Sequence, residues 1–202
     1  MQNVPRISGS LEDHRAATRE RILLAVREIM ASEGVDRLSV AEVAGRANLN
    51  RGVVYNYFTG VRGLLIAHTE HETARFTEEL RRALEEATTP TERIVVYVRR
   101  QLADFAACPR PAGPELAALL GPDGHREIRA HVETLGRLLA GIIEDGVATG
   151  EFAPCDPMET ARLIHACLGA ERFPLGQEGG DVHATTEKVT TFVLRGLGAA
   201  TA

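Results

Sequence analysis

The side chains best equipped for chemistry in this 202-residue chain stand close together between Ser39 and Arg62. Ser39, Asn50, Arg51, Gly52, Tyr55, Asn56, Tyr57 and Arg62 bring hydroxyls, amides, guanidinium groups and one bare stretch of backbone into a single segment. Such a set binds rather than reacts. A guanidinium is a planar fork that pairs bidentately with phosphate or with the edge of guanine. Competing chemistries lack their residues: there is no G-x-S-x-G, no H-E-x-x-H, no phosphate-binding loop and no G-x-G-x-x-G after a strand. His68 and His71 lie three apart, but no third ligand follows at a defined spacing, so no metal or other cofactor is expected. The chain reads as a binding protein with no catalytic residue, not an enzyme.

Two of these residues also position the others. Ser39 precedes Glu42 by three residues, the capping-box spacing, so a helix should start there. Val40, Val43, Ala44 and Ala47 give it an apolar face, and the pattern breaks at Asn48, a residue that tolerates positive φ. Asn50 then caps a second short helix with Val53, Val54 and Tyr57 or Phe58 turned inward and Arg51, Gly52, Tyr55 and Asn56 outward. Two short helices joined by a tight turn make a helix-turn-helix. Upstream, Thr18 is placed to cap a helix carrying Ile22, Val26, Ile29 and Met30, closed by Gly34. Residues 1–16 show no periodicity and read as a flexible arm containing Arg6 and Arg15.

The run VAGRANLNRGVVYNYF resembles the DNA-binding signature of the tetracycline-repressor (TetR/AcrR) family, and the likeness extends over about residues 17–68. Asn48 stands where that family usually has Gly, and Val61, with Arg62 beside it, stands where it often has Lys. The resemblance implies a ligand-responsive transcriptional regulator, with repression the family default, that binds a near-palindromic operator in double-stranded DNA as a homodimer and is released by a small-molecule effector. It places Arg51 and Gly52 at the entry of the recognition helix into the major groove, with Tyr55, Tyr57 and Arg62 near phosphates. Arg19 and Arg21, early in the first helix, fall where related proteins touch the DNA backbone, and Arg19, Ser39 and Asn50 complete the DNA-binding set. The overall charge of −5 runs weakly against nucleic acid, but residues 1–68 carry 9 − 7 = +2 and the remainder 14 − 21 = −7, so the basic end is the one that can approach phosphate. That +2 is modest, and a helical interaction module that does not bind DNA is the alternative reading.

The rest of the chain reads as amphipathic helices. A connector runs from about Val61 to Glu86. Thr89, Pro90 and Glu92 open a helix ending by Pro109, ELAALL forms a short helix between two breaks, and a long one runs from about His125 to Ala148. Asp156, Pro157 and Glu159 open a helix over 157–170, FPLGQEGGD is a glycine-rich loop, and the last helix carries Val189, Phe192, Val193, Gly196 and Leu197. The fold is all-α, with about nine helices in three parts: a flexible arm over 1–16, a helix-turn-helix domain over 17–60, and a ligand-binding and dimerisation domain over 61–202. Broad apolar faces and small residues predict a homodimer through a four-helix bundle of residues 157–170 and 183–198 from each chain. The effector cavity implied by the resemblance would be lined by Phe76, Tyr97, Gln101, Phe105, His131, Leu135, Cys167 and Glu171. No run of about 18 apolar residues and no signal peptide is present, so a cytoplasmic protein with no membrane partner is expected.

Overall fold

The computed structural model describes residues 8–107, 133–177 and 179–199, and every regular element among them is a helix. The chain divides into two compact units, Met1–His71 and Glu72–Ala202. No helix among the described residues is long and apolar enough to cross a membrane.

In the first unit α1 spans Ser8–Ser32, a one-turn 3₁₀ helix spans Val35–Arg37, α2 spans Val40–Arg46 and α3 spans Arg51–Tyr55; α4, Gly60–Glu85, begins here. Ile22, Leu23, Val26 and Ile29 of α1, Val43 of α2, Val54 of α3, and Leu64 and Leu65 of α4 form its buried interior. The expected flexible arm is corrected over residues 8–16, which are helical. Thr18 is therefore no cap. It lies buried inside α1, and its hydroxyl donates to His14 O at 2.8 Å. Periodicity missed this segment because residues 11–17 are all exposed. Leu, Glu, Arg and Ala are strong helix formers, and extending a nucleated helix costs little.

The second unit holds the rest of α4, α5 at Pro90–Ala107, α6 at 133–149, α7 at Pro157–Ala170, α8 at Arg172–Leu175 and α9 at Val182–Gly196. Three of its helix starts carry the expected or equivalent caps. Thr89 Oγ1 accepts from Glu92 N–H while Glu92 Oε2 accepts from the N–H groups of Thr88 and Thr89, a complete capping box. Asp156 caps α7 through Glu159 N–H, and Asp181 caps α9 through Ala184 N–H. The loop expected at FPLGQEGGD is corrected at its start: Arg172–Leu175 forms the single turn α8, with Leu175 buried. The expected break at 108–114, the ELAALL helix and His131 lie outside the described residues.

The loop after α6 ties this unit together. Gly150 takes φ 76°, Glu151 Oε2 accepts from the backbone and hydroxyl of Thr91 at the start of α5 (3.1 and 2.7 Å), and Ala153 N–H donates to Leu197 O at the end of α9 (2.8 Å). Phe152 folds its ring back onto Gly146, where a Cβ would lie 2.0 Å from Cδ2 of the ring. Gly146→Ala should therefore overpack the site and lower stability by about 1–3 kcal/mol. The check is the urea midpoint, which should fall with an unchanged m-value; a midpoint equal to wild type would mean the ring yields freely.

Candidate nucleic-acid interface

The turn between α2 and α3 is built from backbone hydrogen bonds that the local sequence permits. Ser39 Oγ accepts from Glu42 N–H at 3.1 Å, half of the expected box, and the Glu42 carboxylate lies 3.9 Å from Arg46. At the other end of α2, Asn48 takes φ 51°, its N–H donates to Gly45 O (3.1 Å), and Leu49 N–H donates to Ala44 O (2.8 Å). This is a Schellman motif with Asn in the position that glycine usually fills. Asn50 Oδ1 then accepts from Val53 N–H at 2.9 Å and starts α3.

With both ends fixed, α3 can present only one face. Val54 and Phe58 are buried and Val53 is half-buried, while Arg51, Gly52, Tyr55 and Asn56 are exposed, Tyr55 by 59 %. Tyr57 is half-buried with its ring centroid 6.4 Å from that of Phe58, so it serves the packing as well as the surface. On the first turn of α4, Val61 is half-buried and Arg62 exposed, which leaves Arg62 as the cation available there. The Arg19 guanidinium lies 5.6 Å over the Phe58 ring, a cation–π contact that brings α1 alongside the end of α3. Arg21, expected beside Arg19 near the DNA backbone, donates from Nη2 to Ala47 O at 2.7 Å and reaches Asn48 O at 3.5 Å. No local pattern marks this contact, because the partner of Arg21 lies far along the chain. Arg51, Gly52 and Tyr55 thus project together at the start of a helix whose other face is locked into a core, the form that enters a DNA major groove.

Residues 22–67 match the family model described as bacterial regulatory proteins, tetR family, and residues 115–174 match the tetracyclin repressor-like C-terminal domain. The chain belongs to the TetR family. It is similar to the fatty acid metabolism regulator protein of Bacillus subtilis (strain 168), 22 % identical over 136 residues, or 65 % of this chain and 69 % of that protein. It is also similar to the HTH-type transcriptional regulator BetI of Brucella canis, 32 % identical over 90 residues, 44 % of this chain and 45 % of the relative. The solved structure of FadR from Bacillus subtilis in complex with stearoyl-CoA superposes with a TM-score of 0.75 at 18 % identity, covering 88 % of this chain and 98 % of that one. This chain is a TetR-family transcriptional regulator, and its helix-turn-helix lies within the segment that matches the family's N-terminal model.

The residues expected around an effector lie in the second unit of this TetR-family regulator. Phe76, Tyr97, Gln101 and Phe105 are buried, and Leu135 and Cys167 are half-buried. Glu171 Oε1 lies 3.1 Å from Lys188 Nζ, and the Arg172 guanidinium sits 4.1 Å over the Phe105 ring. The closest polar pair here includes a residue outside the expected set: the Tyr97 hydroxyl lies 2.6 Å from His165 Nε2 and 3.4 Å from Leu135 O. His165 follows Ala161 by four and precedes Leu168 by three, so its place beside the buried face of α7 was readable. Two open grooves on this unit, of about 530 and 390 Å³, are lined by other residues, among them Arg81 and Arg137 in the larger and Arg99 and Arg100 in the smaller.

Burial raises the Tyr97 phenol above its ordinary value and lowers the His165 imidazole below its own, so the pair is neutral around pH 7. A histidine with a depressed folded-state pKa contributes stability that is present above the unfolded value of about 6.5 and is lost as pH falls below it. Thermal midpoints should therefore fall between pH 7 and 5 more steeply in wild type than in His165→Gln. Parallel curves would show that His165 protonates without cost.

Proposed function

We propose that two copies of this chain bind one near-palindromic operator and leave it when a small-molecule effector enters the second unit. The observation that carries this reading is the face of α3: Asn50 caps it, Val54 and Phe58 hold it, and Arg51, Gly52 and Tyr55 stand clear of the protein. Arg51 contacts a base edge, most simply guanine N7 and O6, and Gly52 allows close approach of the backbone. Tyr55, Tyr57, Arg62 and Arg19 hold phosphates, which fix register without reading sequence. Ser39 and Asn50 act as caps that set the pose.

Dimerisation has support in the surface. Met158 and Leu163 on α7, Phe173 on α8 and Phe192 on α9 are between 52 and 74 % exposed, among exposed small residues Ala166, Gly169, Ala170 and Gly196. Helices with such faces pack closely against a second copy. Phe192 lies on the apolar stripe that the sequence gives α9, and its exposure leaves it available to a second copy. For the effector, Phe76, Phe105 and Leu135 supply apolar wall, and Tyr97, His165 and Gln101 supply hydrogen bonds. An apolar body with one polar end fits that chemistry, and stearoyl-CoA, held by the similar FadR, is a ligand of that kind. Regulation of this sort operates in the cytoplasm and requires no catalysis by the protein.

Selection of duplexes from random sequence, followed by footprinting, tests the reading. Half-sites should repeat at about 34–36 Å or at a close multiple of one helical turn. Arg51→Ala should relax preference at one base pair in each half-site by about 1–3 kcal/mol and leave other positions unchanged. Uniform weakening on all sequences would make Arg51 a phosphate contact. Phe192→Asp should convert the dimer into a monomer by light scattering at micromolar concentration and weaken operator binding in parallel; a wild-type protein that is already monomeric would overturn the two-copy arrangement.

A further inference from the structure

The arginines of the second unit do not all behave alike. On α4, Arg75 pairs with Glu79 at 2.7 Å and Arg82 with Glu78 at 2.9 Å, each across one helical turn. Arg81 on the same helix has Glu85 four residues on, and Arg137 on α6 has Glu133 four residues back, which is the spacing at which such pairs form. Neither pairs with a carboxylate among the described residues. Both line the larger of the two open grooves, about 530 Å³ between α4, α5 and α6.

This groove has two unlike ends over an apolar floor. At one end Arg93 of α5 ties the helices together: its Nη1 lies 3.3 Å from Asp145 Oδ2 on α6, and its Nε donates to Ala87 O, just past α4, at 3.4 Å. Glu85 and Glu144 line the groove within two residues of those anchor points. Arg81 and Arg137 stand about 9 and 12 Å before them along their helices, so the basic end lies away from the tie. The floor is made by Leu84 and Ile142, both buried, and half-buried Leu138. At Gly141, which also lines the groove, a Cβ would meet nothing within 4 Å, so the open space reaches the backbone of α6. None of the residues expected around the effector takes part in this wall.

Charge and size select the occupant. A volume between about 300 and 1,000 Å³ suits a small molecule held on an apolar wall by few polar anchors. A length of about 12 Å is little more than two helical turns, too short to seat a partner helix. Two guanidinium groups at one end fit one carboxylate head. Glu85 and Glu144 at the other end oppose a second negative charge. We propose that this groove is a second small-molecule site, separate from the interior of the unit. It takes an aliphatic monocarboxylate, with the head on Arg81 and Arg137 and the chain along Leu84, Leu138 and Ile142.

The test follows methyl resonances of the full-length protein during titration with octanoate. Those of Leu84, Leu138 and Ile142 should move together along one saturable curve, in wild type and in His165→Gln alike. Arg81→Gln combined with Arg137→Gln should raise the octanoate Kd read at these methyls about tenfold or more and leave the octanol Kd unchanged. Suberate, which brings a second carboxylate toward Glu85 and Glu144, should bind several-fold more weakly than octanoate. Gly141→Leu should fill the floor and abolish the shifts at an equal or higher thermal midpoint, because leucine favours a helix over glycine. The proposal is overturned by absence of octanoate shifts at these three residues, by shifts that survive the arginine substitutions and Gly141→Leu, or by suberate bound as tightly as octanoate.

Discussion

Arg21 closes the turn on which the reading head depends. The last carbonyls of a helix have no partner within it, and a short helix such as α2 has few interior hydrogen bonds to compensate. The Schellman bonds satisfy Ala44 O and Gly45 O, and the Arg21 guanidinium takes Ala47 O and approaches Asn48 O. A hydrogen bond from a charged donor is about twice as strong as a neutral one. One side chain from α1 therefore fixes the end of α2, the left-handed residue and the start of α3 together. Five helical residues in α3 could not hold a direction alone; capped by Asn50, backed by Val54 and Phe58 and anchored by Arg21, they have only one.

The two units are built by different rules. The first uses short helices, caps and one charged tie, so its exposed face is set by backbone geometry. The second relies on long amphipathic helices around an apolar interior that runs from Phe76 to Ala199, with the loop at Glu151–Ala153 joining three of them. Within that interior the Tyr97–His165 pair is the exception. A polar pair costs free energy in an apolar core unless both members are satisfied, and here each satisfies the other at 2.6 Å. Its neutral state follows from burial, which works against charge on both groups.

Local signals in the sequence read well wherever the determining atoms lie within four residues of one another. Ser39, Asn50, Thr89 and Asp156 all cap the helices that their spacing assigns to them. Asn48 adopts the positive φ that its side chain tolerates, and the inward and outward residues of α3 divide as the pattern requires. Residues 8–16 of α1 escape the sequence pattern for the opposite reason: hydrophobic periodicity registers burial, and residues 11–16 are helical without being buried. The turn of α8 was hidden among Pro and Gly, which speak for a loop when taken singly.

The amino-acid sequence by itself therefore determined the helical class, the caps, the positive-φ turn and the face of the recognition helix, because each follows from interactions along a few consecutive residues. It also carried the family signature. Only the tertiary structure decided that Arg21 would seal the turn, that Arg19 would lie over Phe58, that Tyr97 would meet His165 and that Phe192 would face outward. Those outcomes depend on which distant segments are brought together, and nothing in local spacing encodes a partner 26 or 68 residues away.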